Sequence, residues 1–204
     1  MFEKTLVKSG KKNLALLSRS CILKSAYLAG GTGVALQLGH RVSLDFDFFT
    51  HKLFVPRVFV SKISELGSFT YEQASKGTVL GHFEGLRFSL FIYKYKLLFK
   101  PRRYLSIAIA DIRDIAAMKI DAISSRGAKR DFIDLYFICQ AGFKLPELLN
   151  LYNRKYGALA VNYMHIKKSL VFFTEAETDE MPKMFKPIPW SYIKEYFEKT
   201  VKNL

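Results

Sequence analysis

Tyr27-Leu-Ala-Gly-Gly-Thr-Gly-Val-Ala-Leu-Gln-Leu-Gly-His-Arg-Val-Ser-Leu-Asp-Phe-Asp-Phe-Phe49 joins a glycine turn to a pair of carboxylates. Leu44, Phe46 and Phe48 alternate with Ser43, Asp45 and Asp47, which predicts a half-buried strand. On such a strand Asp45 and Asp47 share a face, with Cα atoms roughly 6.6 Å apart, so both side chains reach one divalent ion. Tyr27-Leu28-Ala29 reads as a short strand. Gly30-Gly31 lets the backbone turn tightly and come close to a ligand. A helix opening at Thr32 and stopping near Gly39 then offers free amides to a phosphate. Neither Walker A nor the dinucleotide fingerprint fits: no Gly-Lys-Ser/Thr follows, and Leu36 stands where the last glycine is required. Strand, Gly-Gly turn, helix, Asp-x-Asp strand is the unit, and it points to metal-dependent phosphoryl or nucleotidyl transfer. Taken alone, Asp-x-Asp is a common surface pattern.

A second block lies downstream. Ile112, Ile115, Ala116, Ile120 and Ile123 recur at helical spacing, with Ala122 beside them and Lys119 on the stripe's edge. The spacing fits either a lysine whose stem covers core surface or an ammonium aimed at a site. Arg126-Gly-Ala-Lys-Arg130 reads as a basic connection, broken by Gly127, into a helix with Asp131 near its start. There a carboxylate also suits the helix dipole. Asp134, Leu135 and Ile138 neighbour Asp131 on that helix, so both carboxylates border a buried edge.

Gly30-Gly31-Thr32 with His40-Arg41-x-Ser43-x-Asp45-x-Asp47-Phe48-Phe49, followed by Asp114-Ile-Ala-Ala-Met-Lys119-Ile-x-Ala-Ile and Arg126 to Phe137, resembles the AbiEii/AbiGii toxin family of the polymerase-β-like nucleotidyltransferase superfamily. The resemblance covers roughly residues 10–145. It implies an α/β (α+β) fold: a polymerase-β-like nucleotidyltransferase core with a mixed sheet over 1–110, then a helical portion over 111–204 carrying the Lys119 and Asp131 motifs. It implies an enzyme that transfers a nucleotide from a pyrimidine or other nucleoside triphosphate to RNA, with tRNA as the expected acceptor. Such an enzyme is the toxin of a bacterial toxin–antitoxin system of the phage abortive-infection type, opposed by a separately encoded antitoxin.

The residue roles follow the same resemblance. Asp45 and Asp47 hold Mg²⁺ or Mn²⁺; Gly30, Gly31, Thr32, Arg41, Ser43 and Lys119 receive the nucleotide; Asp131 joins the catalytic set as third acidic ligand or as base. Arg130 and Asp134 support them, Asp134 by orienting basic groups. Many relatives in the superfamily place a third metal carboxylate on a later strand. The candidate here, Leu86–Tyr93, puts Ser89 at that position, flanked by Arg87 and Phe91 on the same side. Other readings of the carboxylate pair stay open: a metal nuclease, a sugar transferase, or a non-catalytic RNA-binding regulator.

Composition sets the frame. Lys and Arg number 32 against 18 Asp and Glu, a formal net charge of +14, which favours polyanionic partners. One cluster is Lys4, Lys8, Lys11, Lys12, Arg19 and Lys24; another is Lys94, Lys96, Lys100, Arg102 and Arg103, interleaved with aromatics. At 204 residues and 50% hydrophobic residues the chain can bury a substantial core without disulfides. Cys21 and Cys139 lack motif spacing and read as reduced thiols; His40, His51, His82 and His165 are too scattered for a zinc cluster. No run has transmembrane length or signal-peptide form, so no membrane partner and a cytoplasmic location are expected. Helices are expected near Lys11–Ser25, Arg57–Leu66 and Trp190–Leu204, and a mainly helical pattern from Leu145. Strands are expected at Phe69–Gln73, Thr78–Phe83 and Leu105–Ile109, and a loop at the acidic run Glu175–Glu180.

Overall fold

The computed structural model describes residues 1–157 and 163–204. After a 3₁₀ turn at Glu3–Thr5 come α1 (Lys8–Arg19), β1 (Ala26–Leu28), α2 (Gly30–Leu38), β2 (Phe46–Thr50) and α3 (Pro56–Ser64). A run of strands follows: β3 (Phe69–Ser75), β4 (Thr78–Phe83), β5 (Leu86–Ile92), β6 (Arg102–Tyr104) and β7 (Ile107–Ile109). The helical portion holds α4 (Ile112–Arg126), α5 (Lys129–Gln140), α6 (Leu145–Tyr156), α7 (Tyr163–Ser169), α8 (Thr174–Thr178) and α9 (Trp190–Lys202).

The strands form one mixed sheet in the order β3-β4-β5-β2-β1-β7-β6. β2 runs antiparallel to β1 and parallel to β5, and β1 runs parallel to β7. The mixed α/β class expected from the sequence is therefore the observed one. Period-2 alternation divides the sheet's two faces. Phe46, Phe48, Phe88 and Leu90 point to one side, where Leu14 and Leu17 of α1 and Phe59 and Ile63 of α3 complete a core. Tyr27 and Phe49 point to the other, against the apolar stripe of α4, with Ile115, Ala116 and Ile120 fully buried. The helical portion packs on that second face, and the functional cavity opens there.

Stop signals act where the sequence places them. Gly39 and Gly127 cap α2 and α4 in the left-handed region, φ 68° and 58°. The turn between β4 and β5 has positive φ at both Glu84 and Gly85, 48° and 75°, the geometry that suits a two-residue hairpin.

Several boundaries differ from the expectation. α2 opens two residues early, so Gly30 and Gly31 lie inside its first turn and Thr32 follows them. β2 begins at Phe46; Asp45 precedes it, and Leu44, expected inside, is 51% exposed. α1 ends at Arg19, and β6 is a strand not foreseen in the basic stretch after Pro101. The acidic run expected as a loop begins as α8. Its glutamates favour a helix start, Ala176 is fully buried, and Glu177 accepts from Lys194 Nζ at 2.7 Å. Among the described residues no helix is long and apolar enough to cross a membrane.

Candidate active site

Asp47 owes its position to the sheet's second face. It lies in β2 in register with Ser89 on the parallel β5, and Ser89 in turn pairs across to Leu80 on β4. Ser89 is thus beside Asp47, where a third carboxylate was looked for, and donates a hydrogen bond to it. Gly30 explains itself here: a Cβ on it would lie 2.5 Å from Asp47 Oδ2. The glycine lets the first turn of α2 close over the carboxylate. A Cβ on Gly31 would land on the Arg41 guanidinium, with Ser43 Oγ 3.3 Å away.

Asp45 stands at the cavity's edge, its side chain 35% exposed, with Arg130 Nη1 3.6 Å from Oδ2. Its backbone is fixed by Thr32, whose buried hydroxyl donates to the Asp45 carbonyl and lies 2.9 Å from Ser43 Oγ. Thr32, expected among the nucleotide contacts, spends its hydroxyl inside the protein and does not line the cavity. Burial raises the pKa of Asp47, and the neighbouring Asp45 charge adds to the rise; Lys119 and Ser89 pull the other way without prevailing. A buried carboxylate held up in this way beside a second one is a place where a cation would relieve the charge.

Behind them lies a buried ionic network that joins residues far apart in sequence. Asp134 on α5, fully buried, accepts Arg41 Nε at 2.7 Å and Nη2 at 2.8 Å, and lies 2.6 Å from Lys119 Nζ. His40 Nε2 is 2.8 Å from the same carboxylate. Burial lowers the pKa of His40 more than Asp134 raises it, so the ring is neutral. Nε2 then carries the proton, and Nδ1 is the buried nitrogen with no hydrogen-bond partner.

Asp131 accepts Lys119 Nζ at 2.7 Å and Arg126 through Nε at 2.8 Å and Nη2 at 3.1 Å. Burial alone would raise Asp131 and Asp134. Lys119 and Arg126 outweigh it for the first, Arg41 and Lys119 for the second, and both carboxyls lie below the usual carboxylate range, Asp134 well below.

These groups surround one cavity of about 940 Å³. Gly30, Gly31, Arg41, Ser43, Asp45, Asp47, Lys119, Arg126, Arg130 and Asp131 line its charged end; Phe49, Phe91, Ile92, Tyr93 and Met118 line the rest. Asp134 stands behind this wall. The structure thus brings the two sequence blocks together, while giving both oxygens of Asp131 to basic side chains.

Three contributors escaped the sequence reading. Arg126 was read only as part of a basic connection, although its five-residue spacing from Asp131 across a helix break was the available signal. Asp121 lies on the α4 face shared by Met118, Ala122 and Ser125. Lys183 reaches the mouth because residues 183–186 pair with 40–42: Val42 N donates to Lys183 O at 2.8 Å and Phe185 N to His40 O at 2.8 Å. No local pattern announces that contact.

A glycine turn at a helix start, one carboxylate in the adjoining strand with a second just before it, and a basic roof offer the groups that nucleotidyl transfer employs. The same architecture is found in JHP933 from Helicobacter pylori, at TM-score 0.56 and 13% identity over 97% of this chain and 92% of that one. MenT4, a nucleotidyltransferase toxin from Mycobacterium tuberculosis H37Rv, aligns at TM-score 0.57 and 14% identity, covering 96% and 84%. Aquifex aeolicus (strain VF5) encodes a relative, the uncharacterized protein aq_aa25, 39% identical over 187 residues and 89% of each chain. Residues 92–198 match the sequence pattern of the nucleotidyl transferase AbiEii toxins of type IV toxin–antitoxin systems. The chain belongs to the AbiEii family and is a nucleotidyltransferase toxin. That match includes Lys119, Asp131 and Asp134 and ends short of the Gly30–Phe49 segment, whose assignment rests on geometry.

Proposed function

We propose that this chain transfers a nucleotide from a nucleoside triphosphate to RNA, with tRNA as the acceptor class, in a reaction that depends on Mg²⁺ or Mn²⁺. One observation carries the reading. Asp47 forms no ion pair with any described residue, although it sits in a cavity whose walls hold Arg41, Lys119, Arg126 and Arg130. A structural aspartate in that setting would be paired, as Asp131 and Asp134 are.

Asp45 and Asp47 would hold the cation, which neutralises phosphate charge and orients the attacking oxygen. Among the described residues no cluster of three or more His, Cys, Asp or Glu side chains could hold a metal. The remaining ligands would therefore be phosphate and water oxygens, as fits Mg²⁺. The protein's own groups do the rest. Gly30 and Gly31, which open α2, line the same cavity, and the free amides of a helix start favour a phosphate. Lys119 has three donors and gives two to Asp131 and Asp134, which leaves one for a ligand. Arg126, 55% exposed and held by Asp131 through Nε and Nη2, keeps Nη1 for a phosphate oxygen, and Arg130, 53% exposed with one long contact to Asp45, can turn to another.

In this arrangement Asp131 positions Lys119 and Arg126. A low pKa and two occupied oxygens make it a poor third ligand and a poor base. Beyond Tyr93, β5 leads into the exposed cluster Lys94, Lys96, Lys100, Arg102 and Arg103, suited to an RNA backbone. An antitoxin partner follows from the type IV family.

The test is incorporation of each labelled nucleoside triphosphate into total RNA with Mg²⁺, beside Asp47→Asn. Extension of RNA that needs Mg²⁺ and Asp47 is expected. Folded wild-type protein that incorporates none of the four, or that shortens RNA instead, overturns the reading.

A further inference from the structure

The cavity has two chemically different ends, and the reaction proposed above employs only one. Its floor is set by register: Asp47 pairs with Ser89, and two residues further along the same parallel strands Phe49 pairs with Phe91. That step is about 6.6 Å, one repeat on a strand face. It is the separation a ribose bridges between phosphate and base. Beyond Phe91 the floor continues to Tyr93, whose ring meets Phe49 edge-on at 5.3 Å and whose hydroxyl is held by Tyr156 at 2.6 Å. Aromatic faces one sugar away from a phosphate site are what a nucleobase stacks on.

Over this apolar stretch α4 presents Met118, Ala122 and one charged side chain, Asp121. Asp121 is half-buried, lines the cavity, and among the described residues forms no ion pair with a lysine, arginine or histidine. Its charge is felt by Tyr93, Tyr152 and Tyr156, which places it at the aromatic end. Every other aspartate of the α4–α5 block differs. Asp114, fully buried, takes Lys155 Nζ at 2.8 Å and the Leu98 and Phe99 amides; Asp131 and Asp134 are paired as described.

We infer that Asp121 reads the base of the incoming nucleotide, accepting N–H groups from an amino-bearing edge and disfavouring a base that presents carbonyl oxygens there. Resting on the nucleoside-triphosphate reading of the cavity, this assigns the aromatic end as the base subsite and Asp121 as its specificity determinant. An ionised aspartate only accepts, so an exocyclic amine satisfies it and a carbonyl oxygen repels it. Burial raises the pKa of Asp121, and N–H donors from a base would act against that rise. A site built to bond an N–H discriminates strongly against the analogue lacking it, because the protein group is left unpaired.

The experiment measures direct binding to the full chain, in Mg²⁺, of two matched pairs: CTP against UTP, and GTP against inosine triphosphate, which lacks the 2-amino group. Wild type should favour the amino-bearing member of at least one pair by about tenfold or more, the scale of a hydrogen bond to a charged group. Asp121→Ala should reduce that ratio to about threefold or less, and Asp121→Asn, which can also donate, should gain affinity for the disfavoured partner. Thermal unfolding of each variant confirms folding, and the ratio is insensitive to a general loss of binding. A preference unchanged in folded variants, or absent in wild type, overturns the assignment of Asp121 and leaves the transferase reading standing. Failure of wild type to bind any of the nucleotides removes both.

Discussion

Two carboxylate pairs sit at one end of the cavity, three of the four side chains in its wall and Asp134 behind it, and their surroundings treat them in opposite ways. Asp131 and Asp134 on α5 have bonds to Lys119, Arg126, Arg41 and His40 and lie below the usual carboxylate range. Asp45 and Asp47, at the start of β2, have one long contact to Arg130 between them, and Asp47 is pushed up by burial and by its neighbour. The same residue type is a structural anion in one place and, on the function proposed above, a metal ligand in the other. What separates them is the count of basic groups delivered by other elements.

The sharpest way to break this contrast is to remove the structural anion. Asp134→Ala leaves Arg41 and Lys119 buried without their shared partner, and should cost about 3–5 kcal/mol in urea unfolding. A loss under about 1 kcal/mol would mean that the network is incidental. Asp47→Asn should behave in reverse, with stability unchanged or slightly improved while transfer falls by about two to three decades, the scale of a lost electrostatic contact in a transition state. Paired measurement of unfolding and incorporation in the two variants makes the comparison direct.

Smaller effects sharpen it. Gly31→Ala places a methyl on the Arg41 guanidinium and should destabilise by about 1–3 kcal/mol, as overpacking does. If instead it is neutral, Arg41 has room the structure does not show. His40 supplies the smallest test. Its folded pKa is depressed, so its contribution is complete above the ordinary histidine range and is lost as pH falls, because the unfolded chain takes the proton first. Between pH 7.5 and 5.5 wild type should lose more stability than His40→Gln, by no more than about 1.4 kcal/mol per pH unit, the limit for one proton. Parallel curves would show that the ring takes up its proton in the fold as it does in the unfolded chain, and a relative gain of wild type at low pH would show a charged ring.

What the sequence made legible was local. Phe46 and Phe48 alternate, Gly39 and Gly127 stop helices, Ile115 to Ile123 mark a buried stripe, and β4 spans the expected residues, because periodicity and backbone freedom act over a few positions. Helical spacing placed Asp131 and Asp134 on one edge, and the family resemblance alone foreshadowed their meeting with Lys119. The Arg41–Asp134 pair, 93 positions apart, was not foreshadowed, since nothing local to either residue encodes the other. Arg41 and Thr32 are ligand contacts on the resemblance alone; within the protein their hydrogen bonds go to Asp134, Val42, Ser43 and Asp45, and of the two only Arg41 lines the cavity. Asp121 was hidden differently. It follows Lys119 by two positions and reads as an ordinary polar interruption of the stripe until the cavity shows which way that helix face looks.

The pairing of residues 183–186 with 40–42 bears on how a nucleotide is received. Together with the Arg41–Asp134 bridge it ties both α5 and the segment before α9 to residues 40–42, the connection that leads into β2, which favours a slot of set width over a pair of jaws. A nucleotide entering such a slot finds its contacts already ordered and forfeits little chain freedom on arrival. On the function proposed above, Lys183, Arg126 and Arg130 are lining side chains that a phosphate would meet.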